Sequence, residues 1–269
     1  MKYALLSSGV ILIAIGLSIL IVILINKKKK LKAWLSIIIA TFSSILLSIS
    51  FILIYFAFHY NATENAKSFL KSDESVVVRD KNGWYEFDNT SNTDDAIIFY
   101  AGAKVEESAY APLCHKLAEE GVDVFLIKMP LYFPLLNSNA ADQVLQQYTY
   151  QNYYMMGHSL GGTTASLYLS KTNYSFKGII FLASYSTTKL DDSYQCLSLY
   201  GTQDTVLNKE EYTKNQKNFP KDYKEVIIEG GNHSQFGDYG HQKNDGIATI
   251  ERSKQIEITT NEICSLIHS

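Results

Sequence analysis

The sequence predicts an α/β fold, with a mostly parallel, doubly wound sheet, preceded by two transmembrane helices. From residue 96 onwards, apolar strand-like runs alternate with helical segments, which is typical of parallel sheets covered by helices on both faces. The first sixty residues instead contain two long runs without a charge. We therefore predict a transmembrane helical hairpin over 1–60, a stalk over 61–75 and an α/β domain over 76–269.

The two uncharged runs cover residues 4–25 and 33–58. Each exceeds the roughly 20 residues that a helix needs to cross the hydrocarbon core of a bilayer. Both contain serine or glycine, which suit close packing between membrane helices. Because the linker between them is short, an antiparallel pair of helices is expected, with the lipid bilayer as a partner of the chain.

Lysines indicate the orientation of this pair. Five lie in the linker at residues 26–32, whereas only Lys2 precedes the first run. By the positive-inside rule the linker is cytoplasmic, which places the following domain outside the cytoplasm. Residues 24–27, at the end of the first run, lack the small side chains of a signal-peptide cleavage site. We therefore expect a multi-pass protein of the cell membrane.

The composition of the outer part excludes some functions. From residue 61 onwards, the chain contains 18 basic and 27 acidic residues. Nucleic acid is therefore not an expected partner, because its binding requires a basic protein surface. Cys114, Cys196 and Cys264 show no C-x-x-C spacing and no neighbouring histidine cluster, which predicts no metal site. We expect Cys114 and Cys196 to be buried as small apolar residues, with a disulfide between two of the three as the alternative.

The elements of the domain follow in order. Asn82-Gly83 separates two strand-like runs, 76–80 and 84–88, and is a typical hairpin turn. Residues 96–100 are apolar throughout, as in strands buried on both faces. The other predicted strands are 122–128, 153–156, 178–183, 196–200 and 225–228, and the predicted helices are 109–120, 140–148, 163–170, 209–218 and 253–268.

A G-x-S-x-G motif joins the strand at 153–156 to the next helix. It consists of Gly157, His158, Ser159, Leu160 and Gly161. In this context the motif is typical of a nucleophile elbow, in which a strained turn exposes the serine hydroxyl at the carboxyl edge of the sheet. The free N–H groups of the following helix then point towards an oxyanion that forms at the serine.

Two later strand ends supply partners for this serine. A serine hydroxyl needs a base within reach and a carboxylate that orients the base. Asp204 follows the strand at 196–200, and His233 follows the strand at 225–228. We predict a triad of Ser159, His233 and Asp204, with Asp191 and Asp192 as alternative acids. The other histidines are predicted to be structural or superficial: His59, His115, His158, His241 and His268.

The oxyanion donors are predicted to be two backbone N–H groups. The first is that of Leu160, and the second lies in the loop after the strand at 96–100, where Gly102 allows a close approach of the backbone. We select Ala103, with Lys104 as the alternative. Aromatic residues nearby are expected to form either an acyl pocket or ordinary packing: Tyr110, Tyr132, Phe133, Tyr185 and Phe236.

Residues 96–267 resemble the compact, lidless α/β-hydrolases of the dienelactone hydrolase-like class, in a bacterial branch with an N-terminal membrane anchor. The resemblance rests on the segments 99–105, 109–113, 125–130, 157–162, 200–204 and 230–240. It implies an α/β-hydrolase fold and a serine hydrolase that uses Ser159, Asp204 and His233. Dienelactone hydrolase itself has a cysteine nucleophile, so its substrate is not carried over to this chain.

We therefore expect a serine hydrolase that cleaves an ester, or alternatively an amide, of a small-molecule acyl substrate without a metal or organic cofactor. One rival is an acyltransferase that uses the same triad. Another is a noncatalytic extracellular binding module. The loop from Asp238 to Asp245 is expected to be an ordered turn, with a cation site as the alternative.

Overall fold

The computed structural model describes the backbone of residues 2–29 and 31–269, with the side chains of residues 13–27 and 31–269. The chain forms two compact units, Met1–Phe58 and His59–Ser269. Lys30 of the predicted cytoplasmic linker, and the side chains at the start of the first predicted span, lie outside the described residues.

The first unit contains two helices, α1 (Lys2–Lys29) and α2 (Ala33–Ala57). The hydroxyl groups of Ser18 and Ser44 are 3.1 Å apart and join the two helices. Only α2 is long and apolar enough to cross a membrane among the residues whose side chains are described, while Ile13–Lys27 is a shorter apolar stretch. One of the two predicted spans is thus supported by length and composition.

The second unit is built on a mixed sheet of eight strands in the order β1-β2-β4-β3-β5-β6-β7-β8. The strands are β1 (Val76–Lys81), β2 (Trp84–Asn89), β3 (Asp95–Tyr100), β4 (Asp123–Ile127), β5 (Asn152–His158), β6 (Gly178–Leu182), β7 (Gln195–Gly201) and β8 (Lys224–Ile228). β2 is antiparallel to both of its neighbours, and β3 to β8 are parallel. The predicted mostly parallel sheet is confirmed.

Six helices belong to the second unit: α3 (Glu64–Ser68), α4 (Ala111–Glu119), α5 (Asp142–Leu145), α6 (Leu160–Leu169), α7 (Lys209–Asn215) and α8 (Arg252–Ile267). The helix predicted at 109–120 is divided into a 3-10 turn and α4. Pro112 lies in the first turn of α4. Proline is tolerated there because the N–H groups of the first turn have no acceptor within the helix, so its missing N–H costs no hydrogen bond.

The helix predicted at 140–148 is reduced to the four residues of α5. The hydroxyl of Tyr100 takes over hydrogen bonds at its start: it donates to the Ser138 carbonyl (2.9 Å) and accepts from the Ala141 N–H (2.9 Å). This buried side chain therefore fixes an irregular turn where the sequence pattern indicates a longer helix.

Apolar side chains fill both faces of the sheet. On β3, Ile97 and Phe99 belong to one core cluster, and Ile98 and Tyr100 belong to the other. Residues of α4 and α8 join the first cluster, and residues of α6 and α7 join the second. Because helices cover both faces, the carboxyl ends of the parallel strands remain as the edge at which a site can form.

Residues 59–75 pack as part of the second unit rather than as an isolated stalk. Ala62 and Ala66 are buried in the first core cluster, and the Thr63 N–H donates to the Asp238 carbonyl at 2.9 Å. The small side chains of the two alanines let this segment approach the core closely. The polar composition of the segment does not indicate this packing.

Candidate active site

Ser159 lies between the end of β5 and the start of α6. Its backbone angles are φ 52° and ψ −124°, a strained combination for a residue with a side chain. Ser159 is nevertheless fixed in place, since its N–H donates to the Leu182 carbonyl at 2.9 Å and its carbonyl accepts from Ser184 Oγ at 2.5 Å. The sharp turn predicted from the motif is therefore present in the structure.

The glycines on either side of Ser159 permit this turn through close backbone contacts. A Cβ atom on Gly161 would lie 2.1 Å from the carbonyl oxygen of Tyr100. A Cβ atom on Gly157 would lie 2.3 Å from the backbone nitrogen of Gly162. Both distances are far below a van der Waals contact, so only glycine fits where the strand, the turn and the helix meet.

Asp204 and His233 form a buried pair. His233 Nδ1 donates to Asp204 Oδ2 at 2.9 Å, and each residue is 1% exposed. The other oxygen of Asp204 accepts from the N–H groups of Val206 and Leu207 at 2.9 Å and 2.8 Å. Since a carboxylate can only accept here, the proton of the imidazole lies on Nδ1, which leaves Nε2 as a hydrogen-bond acceptor.

Nε2 of His233 has no hydrogen-bond partner among the described residues. The ring of His233 lies 4.5 Å from that of His158, centroid to centroid, and His158 directly precedes Ser159. The hydrogen bond between Ser159 and His233 is not formed in this structure. Such contacts often tighten only when substrate is bound. The structure thus brings Asp204 and His233 together and places the serine turn beside them.

The backbone around His233 is held by Asp245, a residue that the sequence analysis did not assign to the site. Its carboxylate accepts from the N–H groups of His233 (3.3 Å) and Ser234 (2.8 Å), and from the Ser234 hydroxyl (2.8 Å). Asp238 forms an ion pair with Arg252 at 2.7 Å. Both carboxylates are thus engaged within the protein, which fits an ordered turn better than a cation site.

Three N–H groups of the loop after β3 have different environments. That of Gly102 donates to the Tyr110 hydroxyl at 3.1 Å, and that of Lys104 donates to the Tyr132 carbonyl at 2.7 Å. For Ala103, no acceptor is found among the described residues. Leu160 is the first residue of α6, so its N–H has no partner within the helix. Ala103 and Leu160 therefore remain available as donors.

Tyr110 connects this loop to the serine turn. Its hydroxyl lies 2.7 Å from Nδ1 of His158 and accepts from the Gly102 N–H. Burial lowers the pKa of His158 well below its usual value, so its imidazole is neutral and Tyr110 donates to Nδ1. Tyr110 is fully buried, and its hydroxyl links the loop after β3 to the serine turn. For Tyr110, this burial supports ordinary packing rather than a place in the wall of an acyl pocket.

Other candidates lie elsewhere. Asp192 pairs with Lys189 and Lys221 on the surface, and Asp191 caps the local turn through the Ser193 N–H at 2.8 Å. Neither takes the place of Asp204 beside His233. A cavity of about 680 Å³ is lined by none of the predicted triad residues. It lies between α3, α4 and α8, where Phe69, Lys116 and Arg252 contribute to its wall.

The three cysteines are free thiols. Cys114 and Cys196 are buried, as expected, and Cys264 is half-buried. Burial raises the pKa of Cys264 to about 11, so this thiol stays protonated and unreactive at neutral pH. None of the three takes part in the site around Ser159.

The profile of the Alpha/beta hydrolase family matches residues 96–257. A search of curated proteins finds no match to the chain. Three solved structures with related folds are carboxyl esterase 2 from the mycorrhizal fungus Tuber melanosporum, the Francisella virulence factor BioJ and Est1E from Butyrivibrio proteoclasticus.

Their sequence identities to this chain are 11%, 13% and 17%, with TM-scores of 0.57, 0.56 and 0.51. The alignments cover 77%, 76% and 73% of this chain, and 91%, 89% and 100% of the respective structures. At such identities the likeness concerns the fold alone. The family profile covers more than half of the chain and includes the serine turn, Asp204 and His233: the chain belongs to the alpha/beta hydrolase family.

Proposed function

We propose that this protein is a serine hydrolase that cleaves carboxylic esters through a Ser159-His233-Asp204 triad and an acyl-enzyme. One observation carries the proposal. His233 donates from Nδ1 to Asp204 at 2.9 Å and presents an unpaired Nε2 beside the strained turn of Ser159. This is the tautomer that a general base for a serine hydroxyl requires.

In the proposed reaction, Ser159 Oγ attacks the ester carbonyl while His233 Nε2 takes the hydroxyl proton. Asp204 holds the imidazole and balances the charge of the imidazolium. The N–H groups of Leu160 and Ala103 stabilise the oxyanion that forms. The tetrahedral intermediate then collapses, and His233 returns the proton to the departing alcohol. Water, deprotonated by His233, releases the acid and regenerates Ser159.

The proposal extends to location. We propose that residues 4–25 and 33–58 anchor the chain in the cell membrane and that the hydrolase unit lies outside the cytoplasm. Support comes from the membrane-length helix α2 and from the lysines of the linker between the two runs. An extracytoplasmic unit is also compatible with its excess of acidic residues, which favours solubility.

Labelling of intact cells with a membrane-impermeant fluorophosphonate tests both parts. Wild type is expected to label, whereas Ser159→Ala and His233→Ala are not. Ser170→Ala is a matched control at an exposed serine directly after the end of α6 and should label like wild type. Labelling only after lysis would refute the extracytoplasmic orientation but would still support an activated Ser159. If wild type labels in neither sample, the binding module becomes the better reading.

Product analysis separates hydrolysis from acyl transfer. Purified protein is incubated with a soluble ester, with and without an added alcohol or amine acceptor. For a hydrolase, the free acid is the main product in both reactions. Accumulation of the acyl-acceptor product at the expense of the acid would instead identify a transferase that uses the same residues.

A further inference from the structure

Exposed apolar side chains of the second unit are concentrated in one short segment. Among residues 59–269, six large hydrophobic side chains are exposed, and three of these are Leu131, Leu135 and Leu136. We call residues 130–137 the leucine loop. Scattered exposed leucines are ordinary, but three within one loop concentrate exposed apolar surface, as at sites that contact apolar partners.

The leucine loop lies beside the proposed oxyanion donors. The carbonyl of Tyr132 accepts from the Lys104 N–H at 2.7 Å, and Lys104 directly follows Ala103. An apolar surface therefore borders the loop that would receive the ester carbonyl.

The same loop contacts the first residues of the second unit. The ring of His59 lies 4.1 Å from that of Tyr132, centroid to centroid. The Tyr60 N–H donates to the Lys104 carbonyl at 2.8 Å, and the Glu106 N–H donates to the Tyr60 carbonyl at 2.9 Å. The first residues of the second unit, His59 and Tyr60, are thus in contact with the loops around the proposed site.

The membrane-length helix α2 ends at Ala57, two residues before His59. Consecutive Cα atoms are 3.8 Å apart, so the end of α2 lies within about 8 Å of His59 along the chain. This limit is set by covalent geometry alone. If α2 spans the bilayer, the surface at which it emerges is close to His59, and therefore to the leucine loop that His59 contacts.

The leucine loop is held in its conformation rather than loosely exposed. Leu131 and Tyr132 both have φ of 54°, a region that residues with side chains rarely adopt. At the start of the loop, the Met129 N–H donates to Glu107 at 2.8 Å. At its end, the Ser138 carbonyl accepts from the Tyr100 hydroxyl. These contacts keep the leucines directed outwards at the cost of local strain.

We infer that the leucine loop inserts into the surface of the bilayer from which α2 emerges, and that the substrate is an acyl ester of a membrane lipid at that surface. The substrate part rests on the proposed serine hydrolase activity. The second unit is acidic overall, with 27 acidic against 18 basic residues from residue 61 onwards. The contact is therefore apolar, with zwitterionic or neutral lipid, rather than an electrostatic contact with anionic lipid.

Fluorescence quenching tests insertion without any need for activity. The full chain is placed in phosphatidylcholine vesicles that contain brominated lipid, with Trp34→Phe as background, so that the remaining native tryptophan is the buried Trp84. Leu135→Trp is compared with Tyr174→Trp, which is also exposed but lies outside the loop. Insertion predicts a strong loss of fluorescence for Leu135→Trp only. Equal quenching of the two variants would overturn the inference.

A comparison of two substrates tests the lipid ester. For Leu135→Ser/Leu136→Ser, the ratio of vesicle-lipid hydrolysis to soluble short-chain ester hydrolysis is expected to fall by about tenfold or more. Ile227→Ser/Ile247→Ser, at exposed positions outside the loop, should leave the ratio unchanged. An unchanged ratio in the loop variant would overturn the lipid assignment. If wild type cleaves neither ester, the proposed activity fails, while the quenching result still decides insertion.

Discussion

The hydroxyl of Tyr110 lies 2.7 Å from Nδ1 of His158, across 48 residues of sequence. The same oxygen accepts from the Gly102 N–H at 3.1 Å. One buried phenol thus joins the loop after β3 to the residue that precedes Ser159. We expect this link to set the spacing between the two proposed oxyanion donors, because Ala103 follows Gly102 and Leu160 follows Ser159.

Tyr110→Phe should weaken both stability and turnover. Removal of the hydroxyl leaves a buried N–H and a buried imidazole nitrogen unpaired, which costs about 1–3 kcal/mol of unfolding free energy. We expect kcat for a soluble ester to fall by roughly tenfold through misplaced oxyanion donors. Tyr154→Phe, which loses a hydroxyl contact to Gln195, is the control and should retain kcat. Equal effects on kcat in both variants would contradict the positioning role.

Asp204→Asn should reduce kcat by about 10⁴-fold, because the amide favours the wrong tautomer of His233. Its carbonyl oxygen can still accept from Val206 and Leu207, so the unfolding temperature should change little. Asp191→Asn is the control and should keep full activity, since Asp191 caps a surface turn. Steady-state kinetics on a soluble ester measure the effect. A comparable loss in Asp191→Asn would instead support the alternative acid.

Gly161→Ala should prevent correct folding of the serine turn. The added Cβ would lie 2.1 Å from the Tyr100 carbonyl oxygen, and neither backbone can move without disruption of β3 or α6. Gly121→Ala provides the comparison: the added Cβ meets no atom within 4 Å, so only the backbone strain of an alanine at φ 91° remains, which costs about 1–3 kcal/mol. Yield of folded protein and thermal unfolding report the difference. Similar unfolding temperatures would show that the clash relaxes.

Glu107→Gln should change the dependence of stability on pH. Burial raises the pKa of Glu107 from 4.5 to about 7, so the folded state holds this proton more tightly than the unfolded chain. Wild-type stability therefore falls as pH rises from about 4.5 to about 7. Glutamine cannot ionise, yet it can still accept from the Met129 N–H.

The variant should thus gain stability relative to wild type across this window, by up to about 3 kcal/mol. Chemical unfolding at several pH values between 5 and 8 measures the difference. Asp123, whose pKa burial raises to about 6, contributes equally to both proteins and cancels. A difference that stays constant with pH would mean that Glu107 is not the group responsible.

Local patterns predict most of the fold and the positions of the main site residues. The serine turn is encoded by the glycines two residues before and two residues after Ser159, and Asp204 and His233 each follow a strand whose carboxyl end reaches the same edge. Their catalytic roles remain predictions. Contacts between distant segments could not be predicted. In the sequence, Tyr110 does not differ from the other aromatic residues of a chain with 19 tyrosines. Asp245 is likewise an ordinary loop aspartate until the structure shows its contacts with His233 and Ser234.

If the proposed membrane anchor is present, the segment from His59 to Ser75 limits where a protease could separate the hydrolase unit from it. Cleavage after residue 58 would free a unit that keeps Ala62 and Ala66 in its core and Tyr60 paired with Val105. Cleavage near Ser75 would remove all of these contacts, along with the Thr63 and Asn65 hydrogen bonds to Asp238. A cut would therefore preserve all of these contacts only if it fell before Tyr60.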